Sequence, residues 1–68
     1  MGSVARITEI SARSSESFDD AIRLGMERAT ATLRNVKGAW VKEQSVEVEA
    51  GAISNFQVHL LVTFELEG

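Results

Sequence analysis

The chain has 68 residues, 44% of them hydrophobic, with seven Lys and Arg against ten Asp and Glu, and so a formal net charge of −3. This length allows one domain, residues 1–68, and the acidic balance argues against a nucleic-acid-binding protein, which carries a clustered basic surface. No apolar run approaches the about 20 residues that span a bilayer, and no secretory pattern opens the sequence. With no Cys and no Pro, we expect a compact, cytoplasmic protein without disulfides or thiolate metal sites.

The small size of the chain predicts self-association. A chain of about 60 residues buries only about 60% of its unfolded surface, so its core alone gives marginal stability. Disulfides are excluded, and the sequence shows no closed metal site. Oligomerisation is the remaining stabilising device, and we expect copies of the chain to cover one another's exposed surfaces.

The first predicted element is a strand over residues 4–12, which mixes β-branched and polar residues ahead of a Ser-rich segment. A helix follows, and Ser17 and Asp20 have the spacing of a capping box at its start. Apolar residues then recur at steps of three or four, which predicts an amphipathic helix with one buried face: Phe18, Ile22, Met26, Ala29, Leu33 and Val36.

The end of this helix is predicted at Gly38, a residue type that commonly terminates helices. Arg34 and Lys37 would then lie in the last turn, where positive charge is favoured by the helix dipole. The predicted helix has about 18 residues, close to 27 Å in length. Gly25, inside it, predicts close packing against the sheet or a neighbouring copy.

A second strand is predicted over residues 39–50. Its apolar residues change parity, from odd at Val41 to even at Val46. A change of parity in a period-two pattern predicts a bulge or bend, which we place near Gln44 and Ser45. Residues 49–52 supply a turn that reverses the chain.

The third strand has the clearest pattern in the sequence. From Phe56 to Leu66, every even-numbered residue is apolar. The predicted fold class is therefore α+β, of order β-α-β-β, with a three-stranded antiparallel sheet wrapped on one amphipathic helix. One helix covers only one face of such a sheet, so the other face and the edges remain for other copies.

Order, spacing and length together resemble the dodecin family over roughly residues 4–66. The resemblance rests on the Ser-Ser-Glu-Ser-Phe helix start, the Arg-Asn-Val helix end and the closing Asn-Phe-Gln-Val…Thr-Phe-Glu-Leu strand. It implies a dodecin-like fold and a hollow shell of twelve identical subunits. It further implies a non-enzymatic store for a flavin (riboflavin, FMN or FAD), held as stacked pairs between Trp side chains near the threefold axes.

The resemblance also implies the residues of a flavin site. The acidic and polar positions that follow the bend in the family fall on Glu43, Gln44 and Glu47. The Gln that hydrogen-bonds the flavin ring falls on Gln57, and the single Trp of the chain, Trp40, is the residue that would stack. Gly38 occupies the usual Trp position, and the two-residue step to Trp40 keeps the strand face while moving the indole by about 6.6 Å. Packing at an interface between subunits is the alternative role for Trp40.

An alternative function is a dodecin-like shell that has lost flavin binding and binds cations or serves a structural role. Symmetry could gather acidic side chains around a pore, or copies of the single His59 around an axis. The candidate acids are Glu47, Glu49, Glu65 and Glu67. A third possibility is an adaptor that binds another protein through an exposed strand edge. Enzymatic activity has no support, because the chain shows no nucleophile motif or phosphate-binding glycine pattern.

Overall fold

The computed structural model describes residues 2–66 and contains one helix and three strands within that range. The elements are β1 (Ala5–Ser14), α1 (Phe18–Thr32), β2 (Val36–Glu49) and β3 (Ala52–Glu65). β3 lies in the centre of the sheet, whose order is β1-β3-β2, and it pairs antiparallel with both neighbours. The predicted α+β class and β-α-β-β order are confirmed. Among the described residues, no helix is long and apolar enough to cross a membrane.

The core forms where α1 packs on one face of β1 and β3. Val58, Leu60 and Val62 of β3 are fully buried, as the alternation of that strand predicts, and they pack with small residues of the helix. Gly25 permits a close approach of helix and sheet. A Cβ at this position would lie 3.1 Å from Leu60 Cδ1 and 3.2 Å from Ala12 Cβ, so the predicted close packing is confirmed.

The helix begins as the sequence predicts, although only half of the capping box forms. Ser17 has an extended backbone, and its hydroxyl oxygen accepts a hydrogen bond of 2.9 Å from the N–H of Asp20. The Asp20 carboxylate instead accepts hydrogen bonds of 2.6 Å from the Ser14 hydroxyl and from the Arg23 guanidinium. These two groups, with Ser14 first, lower the pKa of Asp20 from its ordinary value.

The predicted helix end was wrong. α1 ends at Thr32, and Leu33 caps it with an extended backbone while donating its N–H to the Ala29 carbonyl at 2.8 Å. Asn35 then adopts a positive φ of 59°, a conformation that Asn tolerates better than most residues. The chain therefore leaves the helix six residues before Gly38.

Strand pairing explains why the helix is shorter than predicted. Val36 pairs with Phe64 on β3 and packs against the core. It is therefore partly buried as a strand residue and not, as predicted, as a helix residue. The step from Leu33 to Val36 fits a helix and a chain reversal equally well. As a result, Lys37 and Gly38 belong to β2, and the last turn of α1 contains no basic residue.

The predicted bulge exists, but its predicted position was wrong. Pairing between β2 and β3 shifts register between Val41 and Glu43, so Lys42 is the extra residue. Pairing then continues regularly through Gln44 and Ser45. A parity change shows that one residue is inserted, but an insertion at any position between the two apolar runs produces the same pattern.

The hairpin between β2 and β3 turns at Ala50 and Gly51, within the predicted turn. Both residues have positive φ, 51° and 79°, and Glu49 pairs with Ala52 across the turn. A two-residue loop with two positive φ angles is a type I′ turn, in which Asn-Gly is preferred. Ala50 therefore holds a left-handed conformation that its Cβ disfavours.

We expect Ala50→Asn to stabilise the protein by about 0.5–1 kcal/mol, because Asn tolerates the left-handed conformation at less cost than Ala. Chemical denaturation at a fixed chain concentration measures the change. Ala52→Asn, on the paired strand next to the turn, is the control and should give no gain. An unchanged or lower denaturation midpoint for Ala50→Asn would show that the turn is not strained.

We expect Ser14→Ala to lower the midpoint of thermal unfolding by several degrees at pH 7, because buried Ser14 donates to Asp20 and accepts from the N–H of Glu16 at 2.9 Å. A carboxylate with a lowered pKa stabilises the fold above its unfolded pKa, near 3.9, and this contribution is lost as the pH falls through the folded pKa. The difference between wild type and variant should therefore shrink below about pH 4. A difference that stays constant with pH would contradict the role of the carboxylate.

Candidate functional site

The sheet has one face that α1 does not cover, which we call the helix-free face. Paired residues share a face, so the odd-numbered residues of β3 lie here, opposite to the buried Val58 and Leu60. The helix-free face is formed by Gln57, His59, Leu61 and Thr63 of β3, Glu9, Ser11 and Arg13 of β1, and Trp40, Glu43, Ser45 and Glu47 of β2. This face is open to a ligand or to another copy of the chain.

Trp40 and Gln57 both lie on the helix-free face, but at different points along it. Trp40 pairs with Leu61 and has 62% of its surface exposed. Gln57 lies between Arg13 on β1 and Ser45 on β2. Leu61, the partner of Trp40, lies four positions along β3 from Gln57, which corresponds to about 13 Å along the strand. One chain therefore presents the indole and the amide as separate contact points.

The three other predicted site residues divide between the two faces. Glu43 pairs with His59, and Glu47 pairs with Asn55, so both lie on the helix-free face. Gln44 pairs with buried Val58 and so lies on the face toward the helix. It is nevertheless exposed, because α1 lies over β1 and β3 and hardly reaches β2. The structure thus brings four of the five predicted residues onto one face and separates Gln44 from them.

His59 lies at the centre of a polar cluster on the helix-free face. Its Nδ1 atom is 3.7 Å from Glu43 Oε1 and 3.8 Å from Glu9 Oε2. Its Nε2 atom is 3.4 Å from the amide nitrogen of Gln57. Lys42 Nζ is 3.3 Å from both carboxylate oxygens of Glu9. The imidazole therefore lies between a neutral amide on one side and two carboxylates on the other.

Glu47 has a basic partner from the other edge strand. Arg13 Nη1 lies 3.2 Å from both oxygens of the Glu47 carboxylate, across the central strand. Both side chains are largely exposed, and such surface pairs contribute at most about 1 kcal/mol to stability. The pair mainly fixes where the two charges lie, and a cation bound at Glu47 would have to compete with Arg13.

Sequence reasoning missed the contribution of β1 and of the bulge residue. Glu9 and Arg13 come from β1, and Lys42 is the extra residue at the β2 bulge between Val41 and Glu43. The alternation of β1, polar at Glu9, Ser11 and Arg13 between less exposed residues, could have placed the β1 residues on one face. Their neighbours could not have been predicted, because these depend on the register of β1 against β3.

The acids proposed as cation ligands are not gathered within one chain. Glu49 lies beside the hairpin turn, and Glu65 ends β3 at the far end of the sheet. Glu67 is outside the described residues. Between residues 2 and 66, no group of three or more His, Asp or Glu side chains is placed to hold a metal ion. A metal site formed between copies therefore remains a prediction.

The chain is thus a small α+β protein of β-α-β-β order with an open polar face on its sheet. The chain belongs to the dodecin family: the family model described as Dodecin matches residues 4–67. The resemblance seen in the sequence is confirmed. No functionally curated protein matches the chain.

Solved dodecin structures are similar to the whole chain. The dodecin from Streptomyces davaonensis is 35% identical, with a TM-score of 0.92 over 100% of both chains. The dodecin from Streptomyces coelicolor is 32% identical, with a TM-score of 0.91 over 97% of this chain and 94% of that one.

A third similar structure is that of a calcium-binding dodecin. The calcium dodecin from Mycobacterium tuberculosis is 27% identical, with a TM-score of 0.82 over 96% of this chain and 93% of that one. That protein is described as a calcium-chelating immunodominant antigen with a novel calcium-binding site.

Proposed function

We propose that this chain is a non-enzymatic flavin-binding protein that assembles into a hollow shell of twelve copies and stores riboflavin, FMN or FAD in the cytoplasm. The observation that carries the proposal is the placement of Trp40 and Gln57 on the helix-free face of a dodecin fold. Trp40 is 62% exposed, so its indole is accessible for stacking. The amide offers a hydrogen-bonding group on the same surface.

The two side chains supply different parts of flavin recognition. Stacking on an indole removes a large apolar ring system from water. It depends little on which flavin is bound, because each offers the same flat ring. The edge of the flavin ring carries an N–H between two carbonyls, and an amide side chain can both accept from that N–H and donate to a carbonyl. Close stacking of flavin on indole also quenches the excited state of the flavin, which suits a storage role and requires no chemical step.

The separation of Trp40 and Gln57 gives assembly a direct role in the site. Because about 13 Å of strand lies between them, a flavin stacked on Trp40 of one copy receives its hydrogen bond from Gln57 of another. Large exposed apolar residues on the strands, among them Val48, Ile53 and Ile7, supply surface that other copies cover. Flavin binding and assembly are therefore linked in this proposal.

A shell that binds calcium in place of flavin is the second candidate function. The similarity to the calcium dodecin from Mycobacterium tuberculosis favours it. In this chain Glu43 has the most exposed carboxylate of the polar cluster, at 68% of its side chain. Calcium takes six to eight oxygen ligands, so acids from several copies would have to converge.

We expect purified protein to be an oligomer, because one helix cannot cover the sheet and the core is small. From membership of the dodecin family we expect its mass to be that of twelve 7.4 kDa chains. Light scattering coupled to size-exclusion chromatography measures the mass. A stable monomer at micromolar concentration would contradict the proposal.

We expect riboflavin titration to quench both the flavin fluorescence and the Trp40 fluorescence. Trp40→Ala should weaken riboflavin binding by about 1–3 kcal/mol, the range for stacking on an aromatic side chain. Gln57→Ala should cost about 1 kcal/mol, as for one neutral hydrogen bond. Gln44→Ala is the matched truncation on the other face and should change affinity little. Emissions that stay unchanged, together with calcium uptake in equilibrium dialysis, would favour the second candidate.

A further inference from the structure

We propose that His59 is a positioning residue that sets the orientation of the Gln57 amide, so that protonation of the imidazole switches the group that Gln57 presents on the helix-free face. Neutral His59 leaves the amide oxygen free to accept, and protonated His59 turns the amide so that its NH₂ group faces outward. The consequence for flavin binding rests on the proposed function, whereas the switch itself is a property of this chain.

The surroundings of His59 select one tautomer of the neutral ring. Nδ1 faces the Glu43 and Glu9 carboxylates at 3.7 and 3.8 Å, and negative oxygens favour a proton on the nitrogen that faces them. The Nε2 atom then carries a lone pair. Its neighbour at 3.4 Å is the amide nitrogen of Gln57, which donates to that lone pair.

This hydrogen bond orients the Gln57 amide. With its nitrogen toward His59, the carboxamide directs its oxygen away from the imidazole, toward the space that a ligand would occupy. An amide oxygen accepts from an N–H, and the remaining amide hydrogen can donate to an adjacent carbonyl. This is the pattern that complements the N–H and carbonyl edge of a flavin ring.

Protonation removes the acceptor on which this orientation depends. In imidazolium both ring nitrogens are donors, so the amide nitrogen of Gln57 would face a second donor at Nε2. Rotation of the amide by half a turn brings its oxygen to the Nε2–H and leaves the NH₂ group outward. The ligand then meets donors where it previously met an acceptor.

The charges around His59 come from both edge strands. Glu43 of β2 and Glu9 of β1 face the ring with negative charge, and Lys42 Nζ lies 3.3 Å from the Glu9 carboxylate. Arg13 is paired with Glu47, and α1 packs on the other face of the sheet. The imidazole is therefore faced by two carboxylates and one ammonium, all on the helix-free face.

The chain is suited to a direct test, because it contains one His and two Gln residues. The two Gln side chains lie on opposite faces of the sheet. In the assembled protein labelled with ¹⁵N at Gln and His, we expect the Gln57 side-chain NH₂ signals to shift with the midpoint of the His59 ring signals. The Gln44 signals should stay unchanged and serve as the internal reference. Size-exclusion chromatography at about pH 5 and pH 8 controls for dissociation.

Two variants separate positioning from a general effect of pH. His59→Gln should abolish the pH dependence of the Gln57 signals, and Glu43→Gln, which removes one charge facing Nδ1, should change the His59 and Gln57 signals together. Gln57 signals that do not follow His59, or that titrate equally in His59→Gln, would overturn the proposal.

A separate binding experiment tests whether the orientation of the Gln57 amide affects flavin affinity. Wild-type affinity for riboflavin should fall by about fivefold between pH 8 and pH 5, the value of one neutral hydrogen bond. The fall should be absent in His59→Gln and for 3-methylriboflavin, which lacks the ring N–H. If affinity fell equally for riboflavin in the wild type, for riboflavin in His59→Gln and for 3-methylriboflavin, the switch would not determine flavin binding. If riboflavin binds at neither pH, the proposed function fails, and the NMR titration still decides whether His59 positions Gln57.

Discussion

The whole molecule depends on one mismatch of length, between a helix of 15 residues and strands of up to 14 residues. At their usual rises these correspond to about 22 Å and about 46 Å, and the chain extends 53 Å in its longest direction. The helix can therefore bury only the middle of one sheet face, where Val58, Leu60 and Val62 lie. The rest of that face and the whole opposite face of the sheet are left uncovered by the helix.

The elements whose signal is local were the ones that the sequence could predict. The alternation of β3, the Ser17 cap and the hairpin turn each follow from residues close in the chain. The helix end could not be predicted, because Val36 satisfies its burial through pairing with Phe64, a contact between residues far apart in sequence. Periodicity does not distinguish that solution from one more helical turn.

The candidate site shows the same division. Parity along a single strand was enough to place Gln57 and His59 on the polar face of β3. The neighbours of His59 could not be deduced, since Glu9 reaches it through the register of β1, and Glu43 lies opposite it only because β2 contains an extra residue. The resemblance to dodecins supplied Glu43 and Gln44 together, although adjacent residues in a regular strand point to opposite faces.

The bulge at Lys42 decides which of those two residues can take part. Without an inserted residue, strict alternation from Trp40 would have placed Gln44 on the helix-free face and turned Glu43 toward the helix. With it, Glu43 lies opposite His59, and Lys42 reaches the Glu9 carboxylate on the same surface. One extra residue thus provides the carboxylate that faces His59 Nδ1 and the ammonium that compensates the second carboxylate. The local chemistry of the polar cluster is therefore set by an irregularity in strand pairing, and a regular sheet of the same composition would not contain it.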